Sequence, residues 1–159
     1  MRERAFAVIG DRVVGATFLD LYAGTGAVGL EALSRGAHSV VFVDRHRAAA
    51  DLIRHNLSAF ELTSERVALV VCPASAAIDR LARRGDRFDV AWIDPPFETW
   101  NEGLEVVARL FELGLLHTTA LACLECPEKA DLAGILPANL EITRDLAGGA
   151  SRVVMIERR

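Results

Sequence analysis

A chain of 159 residues holds one hydrophobic core and has no room for two. Its apolar fraction is 52%, yet no uncharged apolar run approaches the ~20 residues needed to span a bilayer. A disordered, fibrous or membrane-spanning chain is therefore excluded. The opening Met-Arg-Glu-Arg has no apolar leader core and no cleavage site, so a cytoplasmic location is expected.

The 18 cations and 22 carboxylates leave a net charge of −4, and Lys129 is the sole lysine. That balance suits a soluble enzyme and is awkward for a nucleic-acid binder, whose affinity rests largely on neutralised phosphates. Three cysteines are too few for a disulfide framework. Cys123 and Cys126 form a C-x-x-C, but the surrounding Leu-Ala-Cys-Leu-Glu-Cys reads as a buried strand and not as the helix start a redox pair needs. With no second pair there is no zinc set, and no metal is expected.

Apolar runs and helical patterns alternate along the whole chain. Residues 2–9 read as a helix end, and Thr17 to Tyr22 as a short buried strand. Ala27 to Ser34 is helical, with Gly36 as its stop. Ser39 to Val43 is a second strand closed by Asp44. The helix over 46–59 is expected to bury Ala49, Leu52, Ile53 and Phe60. Val67 to Val71 is a third strand, 75–84 a helix, and Phe88 to Ile93 a fourth strand. Leu104, Val107, Ala108 and Phe111 mark another amphipathic helix, and Leu121 to Leu124 a fifth strand. Leu140 to Leu146 and Val153 to Ile156, parted by Gly148-Gly149, read as a closing antiparallel pair. The alternation predicts an α/β protein, a doubly wound and mostly parallel sheet with helices on both faces. Ligands in such sheets bind beyond the carboxyl ends of the strands.

The first strand end carries Gly24, Gly26 and Gly29 as G-x-G-x-x-G between strand and helix. That pattern serves nicotinamide, flavin and S-adenosylmethionine sites alike. Asp20, four residues before Gly24, discriminates: a carboxylate repels a pyrophosphate but suits the ammonium and cationic sulfur of S-adenosylmethionine. The alternative is a tight turn with a capping acid. Asp44 at the next strand end is placed to accept from both ribose hydroxyls of an adenosine, or else simply caps the following helix. Asp94-Pro95-Pro96-Phe97 ends the fourth strand. Two prolines remove two N–H donors, so the Asp94 carboxylate and the Asp94 and Pro95 carbonyls form a cluster of acceptors suited to an exocyclic amine. Phe97 offers a face for a stacked base; the alternative is a rigid stop with Phe97 in the core.

Asp20…Gly24-x-Gly26-x-x-Gly29, Asp44 and Asp94-Pro95-Pro96-Phe97 resemble the class I S-adenosylmethionine-dependent amino-methyltransferases. More narrowly, residues 19–37 and the opening Arg2-Glu3-Arg4-Ala5-Phe6 resemble the RsmD family, bacterial 16S ribosomal RNA guanine-N2 methyltransferases. The resemblance implies a Rossmann-like sheet of seven strands in the order 3-2-1-4-5-7-6, with strand 7 antiparallel. It implies S-adenosylmethionine as cofactor, held by Asp20, Tyr22, Ala23, Gly24, Thr25, Gly26, Gly29, Asp44, Arg45, Pro73, Ala74 and Asp94. Catalysis falls to Asp94, Pro95, Pro96 and Phe97, and the partner is ribosomal RNA or the small ribosomal subunit, met by a monomer. Two departures stand out. Cys72-Pro73-Ala74 lacks the polar residue the family places near adenine, leaving the Ala74 backbone and apolar packing. The chain is also expected to be a single domain over 1–159 without the basic arm that precedes the Arg-Glu stretch in the family. Two other readings stay open: an N6-adenine or N4-cytosine methyltransferase, and a cofactor-binding assembly factor without catalysis.

Overall fold

The structure is a computed structural model that describes residues 1–62 and 65–159. Helix α1 (Arg2–Ile9) leads through a 3-10 turn into β1 (Thr17–Leu21), followed by α2 (Ala27–Ser34), β2 (Ser39–Asp44), α3 (Arg47–Leu57) and β3 (Val67–Val71). Next come α4 (Ala74–Arg84), β4 (Phe88–Ile93), α5 (Trp100–Glu112) and β5 (Leu116–Pro127). The hairpin β6 (Leu140–Gly148) and β7 (Ser151–Arg158) closes the chain. The strands form one sheet in the order β3-β2-β1-β4-β5-β7-β6, with β7 antiparallel to both neighbours. That is the order the resemblance implied.

Both faces of the central strands are buried, which is why they read as continuous apolar runs. Leu19, Leu21, Ala91, Ile93 and Leu124 face α4 and α5, where Ile78, Leu81, Val107 and Leu110 complete one core. Phe18, Phe42, Trp92 and Cys123 face the other way. There Phe6 of α1 lies between Phe18 and Trp92, with ring centroids 6.1 and 6.0 Å apart. The aromatic ladder fixes α1 across the middle of the sheet. Cys123 and Cys126 are buried in β5, and burial pushes the Cys123 thiol up to about 12. A thiol in that state is a core residue and not a nucleophile.

Two expectations need correction. Helix α3 buries Ala50 and Ile53, while Leu52 is 42% and Phe60 37% exposed. The buried stripe is turned by one residue from the expected one, towards Phe42 and the glycine loop, and the helix has ended before Phe60. Strand β5 is also far longer than Leu121 to Leu124. Phe88 pairs with Leu116 and Val90 with Leu121, so a bulge in β5 takes up the polar His117-Thr118-Thr119 that interrupts its apolar pattern.

Candidate active site

The chain leaves β1 through Tyr22, whose φ of 60° is unusual for a residue with a side chain, and then turns at Gly24 and Gly26, both at positive φ. Each part of the turn has its own tether. The Gly24 N–H donates to Asp44 Oδ2 at 2.9 Å, the Gly26 N–H to the Ala23 carbonyl at 2.8 Å, and Asn56 Nδ2 of α3 to the Thr25 carbonyl at 2.9 Å. Gly29 is required for packing: a Cβ there would lie 2.3 Å from Phe42 Cε1 and 2.8 Å from Val40 Cγ1. Only a glycine lets α2 close onto β2.

Asp20 sits beneath this loop. Its Oδ2 accepts from the Gly29 N–H at 2.9 Å, and the residue is only 1% exposed. Burial pushes its carboxyl up to about 8; the Gly29 bond works the other way, and Asp94 and Asp44 add repulsion. Asp44 closes β2 with one oxygen on Gly24 and the other accepting from the His46 N–H at 2.9 Å. It therefore both braces the loop and holds the backbone that leads into α3, with lone pairs left for a ligand.

At the end of β4, Pro95 is buried and the Pro96 carbonyl accepts from the Thr99 N–H at 3.0 Å. The carbonyls of Asp94 and Pro95 have no partner among the described residues. Phe97 is 45% exposed, which removes the reading of it as a core residue behind a rigid stop. Burial, with a smaller contribution from Glu125, pushes the Asp94 carboxyl up to about 7.

These elements enclose a cavity of about 850 Å³ at the carboxyl edge of the sheet. Of the expected residues, Tyr22, Asp44, Arg45, Pro73, Ala74 and Asp94 to Phe97 line it. Asp20, Ala23, Gly24, Thr25, Gly26 and Gly29 do not; they build the turn that shapes its wall. Sequence reasoning missed the opposite wall. Glu98, Glu102, Glu105 and Arg109 line the cavity from the turn after Pro96 and from α5, with Arg109 bridged to Asp79 of α4 at 2.5 Å. In sequence those residues form an ordinary polar helix face. The one available signal was that α5 starts directly after Asp-Pro-Pro-Phe.

The donor set fits S-adenosylmethionine. Asp20, Asp44 and Asp94 end adjacent strands, and none is paired with lysine or arginine among the described residues. A cationic ligand relieves their mutual repulsion, whereas a pyrophosphate would increase it. Pro73, Ala74 and Ile78 offer the apolar wall an adenine needs.

Comparison with known proteins agrees. Residues 1–157 match the family described as Conserved hypothetical protein 95. Ribosomal RNA small subunit methyltransferase D of Escherichia coli is 32% identical over 151 residues, covering 94% of this chain and 72% of that protein. The chain belongs to the RsmD family. Its Haemophilus influenzae counterpart of the same name is 31% identical over 131 residues, 82% of this chain and 66% of that one. A solved structure of a conserved hypothetical protein from Streptococcus pyogenes superposes with a TM-score of 0.88 at 29% identity, covering 100% of this chain and 96% of that one.

Proposed function

We propose that this protein transfers a methyl group from S-adenosylmethionine to the exocyclic N2 amine of a guanine in 16S ribosomal RNA. The observation that carries the reading is the turn at Asp94-Pro95-Pro96-Phe97, a carboxylate and two unpartnered carbonyls beside an exposed aromatic ring. The names of the relatives support ribosomal RNA as the substrate class.

Asp44 accepts hydrogen bonds from the ribose hydroxyls with the lone pairs its backbone donors leave free. Pro73, Ala74 and Ile78 pack against the adenine. When bound, S-adenosylmethionine supplies a methyl group on a cationic sulfur, which departs as a neutral thioether. Phe97 stacks on the guanine turned out of the RNA. The Asp94 carboxylate and the Pro95 carbonyl accept the two amine protons, which orients the nitrogen and frees its lone pair for in-line attack. A methylated cationic aryl amine is strongly acidic, and Asp94, raised towards neutrality, takes up its surplus proton.

Calorimetry with S-adenosylhomocysteine and single-turnover kinetics on ribosomal RNA test the division of labour. Asp44→Ala weakens cofactor binding by ~1–3 kcal/mol for a lost charge-assisted contact. Asp94→Ala abolishes transfer and leaves cofactor affinity within a few fold. Near-normal turnover by Asp94→Ala would refute the acceptor mechanism.

A further inference from the structure

Beside Asp94, one strand over, stands a second carboxylate to which the mechanism above gives no part. Ile93 of β4 is in register with Leu124 of β5, so Asp94, just past the end of β4, lies beside Glu125, which stays within β5 and pairs with Val153 of β7. Glu125 is held in place. Ser151 Oγ of β7 donates to its Oε1 at 2.9 Å, while its Oε2 has no hydrogen-bond partner among the described residues. Neither carboxylate has an ion-pair partner there. Asp94 and Pro95 line the cavity, and the partly buried Glu125 stands beside them, outside its lining, so that the two carboxylates and the free carbonyls of Asp94 and Pro95 set acceptors side by side at this edge.

Such an arrangement discriminates among amino bases. Guanine carries an N1–H beside its N2 amine, so donors stand side by side. The amines of adenine and cytosine each stand beside a ring nitrogen with a lone pair. A second carboxylate binds the N–H of the first and repels the lone pair of the others, and a site built to accept from a donor rejects an analogue without one strongly. We propose that Glu125 is a specificity-determining residue, accepting the guanine N1–H while Asp94 and the Pro95 carbonyl hold the N2 amine. The proposal rests on the guanine-N2 reading and names the group that selects the base.

Glu125 also contributes to the position of Asp94 on the pH scale, after burial. Asp20 acts on Asp94 from the β1 end, and the cavity that Asp94 lines also carries Tyr22, Asp44, Arg45 and His46 on one side and Glu98, Glu102, Glu105 and Arg109 on the other.

The test uses the full chain, unmethylated 16S ribosomal RNA, and mass spectrometry of the product nucleosides. Glu125→Gln keeps the size and an oxygen for Ser151 but removes the charge. It is expected to lower kcat/KM about 10- to 100-fold. Its acid limb moves to lower pH, because one of the charges raising Asp94 is gone, and S-adenosylhomocysteine affinity is unchanged. Glu125→Gln with wild-type kcat/KM and an unmoved acid limb would overturn the proposal. Wild-type protein that binds S-adenosylhomocysteine but methylates a different base would overturn the guanine reading, and this proposal with it. The two failures are distinct, since the first appears only in the variant.

Discussion

Asp20 is a carboxyl group closed off from water, and its position makes the fold sensitive to pH. Its folded-state pKa, about 8, lies above the ordinary 3.8, so the folded protein binds the proton more tightly than the unfolded chain does. The stability this confers is fully present below pH 3.8 and is lost as pH rises through about 8. Asp20→Asn keeps an oxygen for the Gly29 N–H and removes the titration. Urea unfolding of the ligand-free protein at several values from pH 5 to 9 should show the wild type losing stability with rising pH more steeply than Asp20→Asn. Parallel curves would show that Asp20 is already ionised in the folded protein across this range and that burial does not raise its carboxyl. A second pH effect is expected at Asp94, where only the ionised carboxylate both accepts its hydrogen bond from the amine and takes up the surplus proton. Turnover is expected to fall as pH drops below about 7.

At the scale of elements, the site depends on how closely α2 and α3 pack against β2. Gly29→Ala drives a methyl group into Phe42 and Val40, and the overpacking is expected to cost ~1–3 kcal/mol. Because the same helix start carries the glycine turn, cofactor affinity falls with it. Thermal unfolding and calorimetry on one preparation check both effects, and an unchanged melting temperature would mean that α2 has slack. Phe6→Ala, which removes the middle of the aromatic ladder, is expected to cost ~3–5 kcal/mol without touching the cavity. Most of these elements were legible in the sequence, since buried parallel strands read as apolar runs and the glycines and prolines punctuate them. Other features were hidden for physical reasons. The stripe on α3 depends on which way the helix rolls onto Phe42, and Ala49 and Ala50 look alike until it does. The polar bulge in β5 gives no apolar signal. The acids of α5 line a cavity only because the turn at Pro96 aims the helix across the strand ends, a tertiary effect that helical periodicity does not carry.

The whole molecule is a sheet whose seven strands bring Asp20, Asp44 and Asp94, far apart in the chain, to one edge. Burial on both sheet faces fixes strand order and register, and register fixes which carboxylates are neighbours. The sequence identified the three acids and the turns around them. Their mutual repulsion, and the position of Glu125 beside Asp94, emerged only from the assembled edge. The net charge of −4 has a local counterpart, because the carboxylates in the cavity lining, Asp44, Asp94, Glu98, Glu102 and Glu105, outnumber its arginines, Arg45 and Arg109. That environment favours a cationic cofactor and, under the proposed function, leaves recognition of the base to hydrogen bonding and stacking. The most direct test of this account is nucleoside mass spectrometry of unmethylated 16S ribosomal RNA after incubation with the purified protein and isotopically labelled S-adenosylmethionine. The account predicts label in N2-methylguanosine, absent with Asp94→Ala; label in N6-methyladenosine or N4-methylcytidine, or none at all, would contradict it.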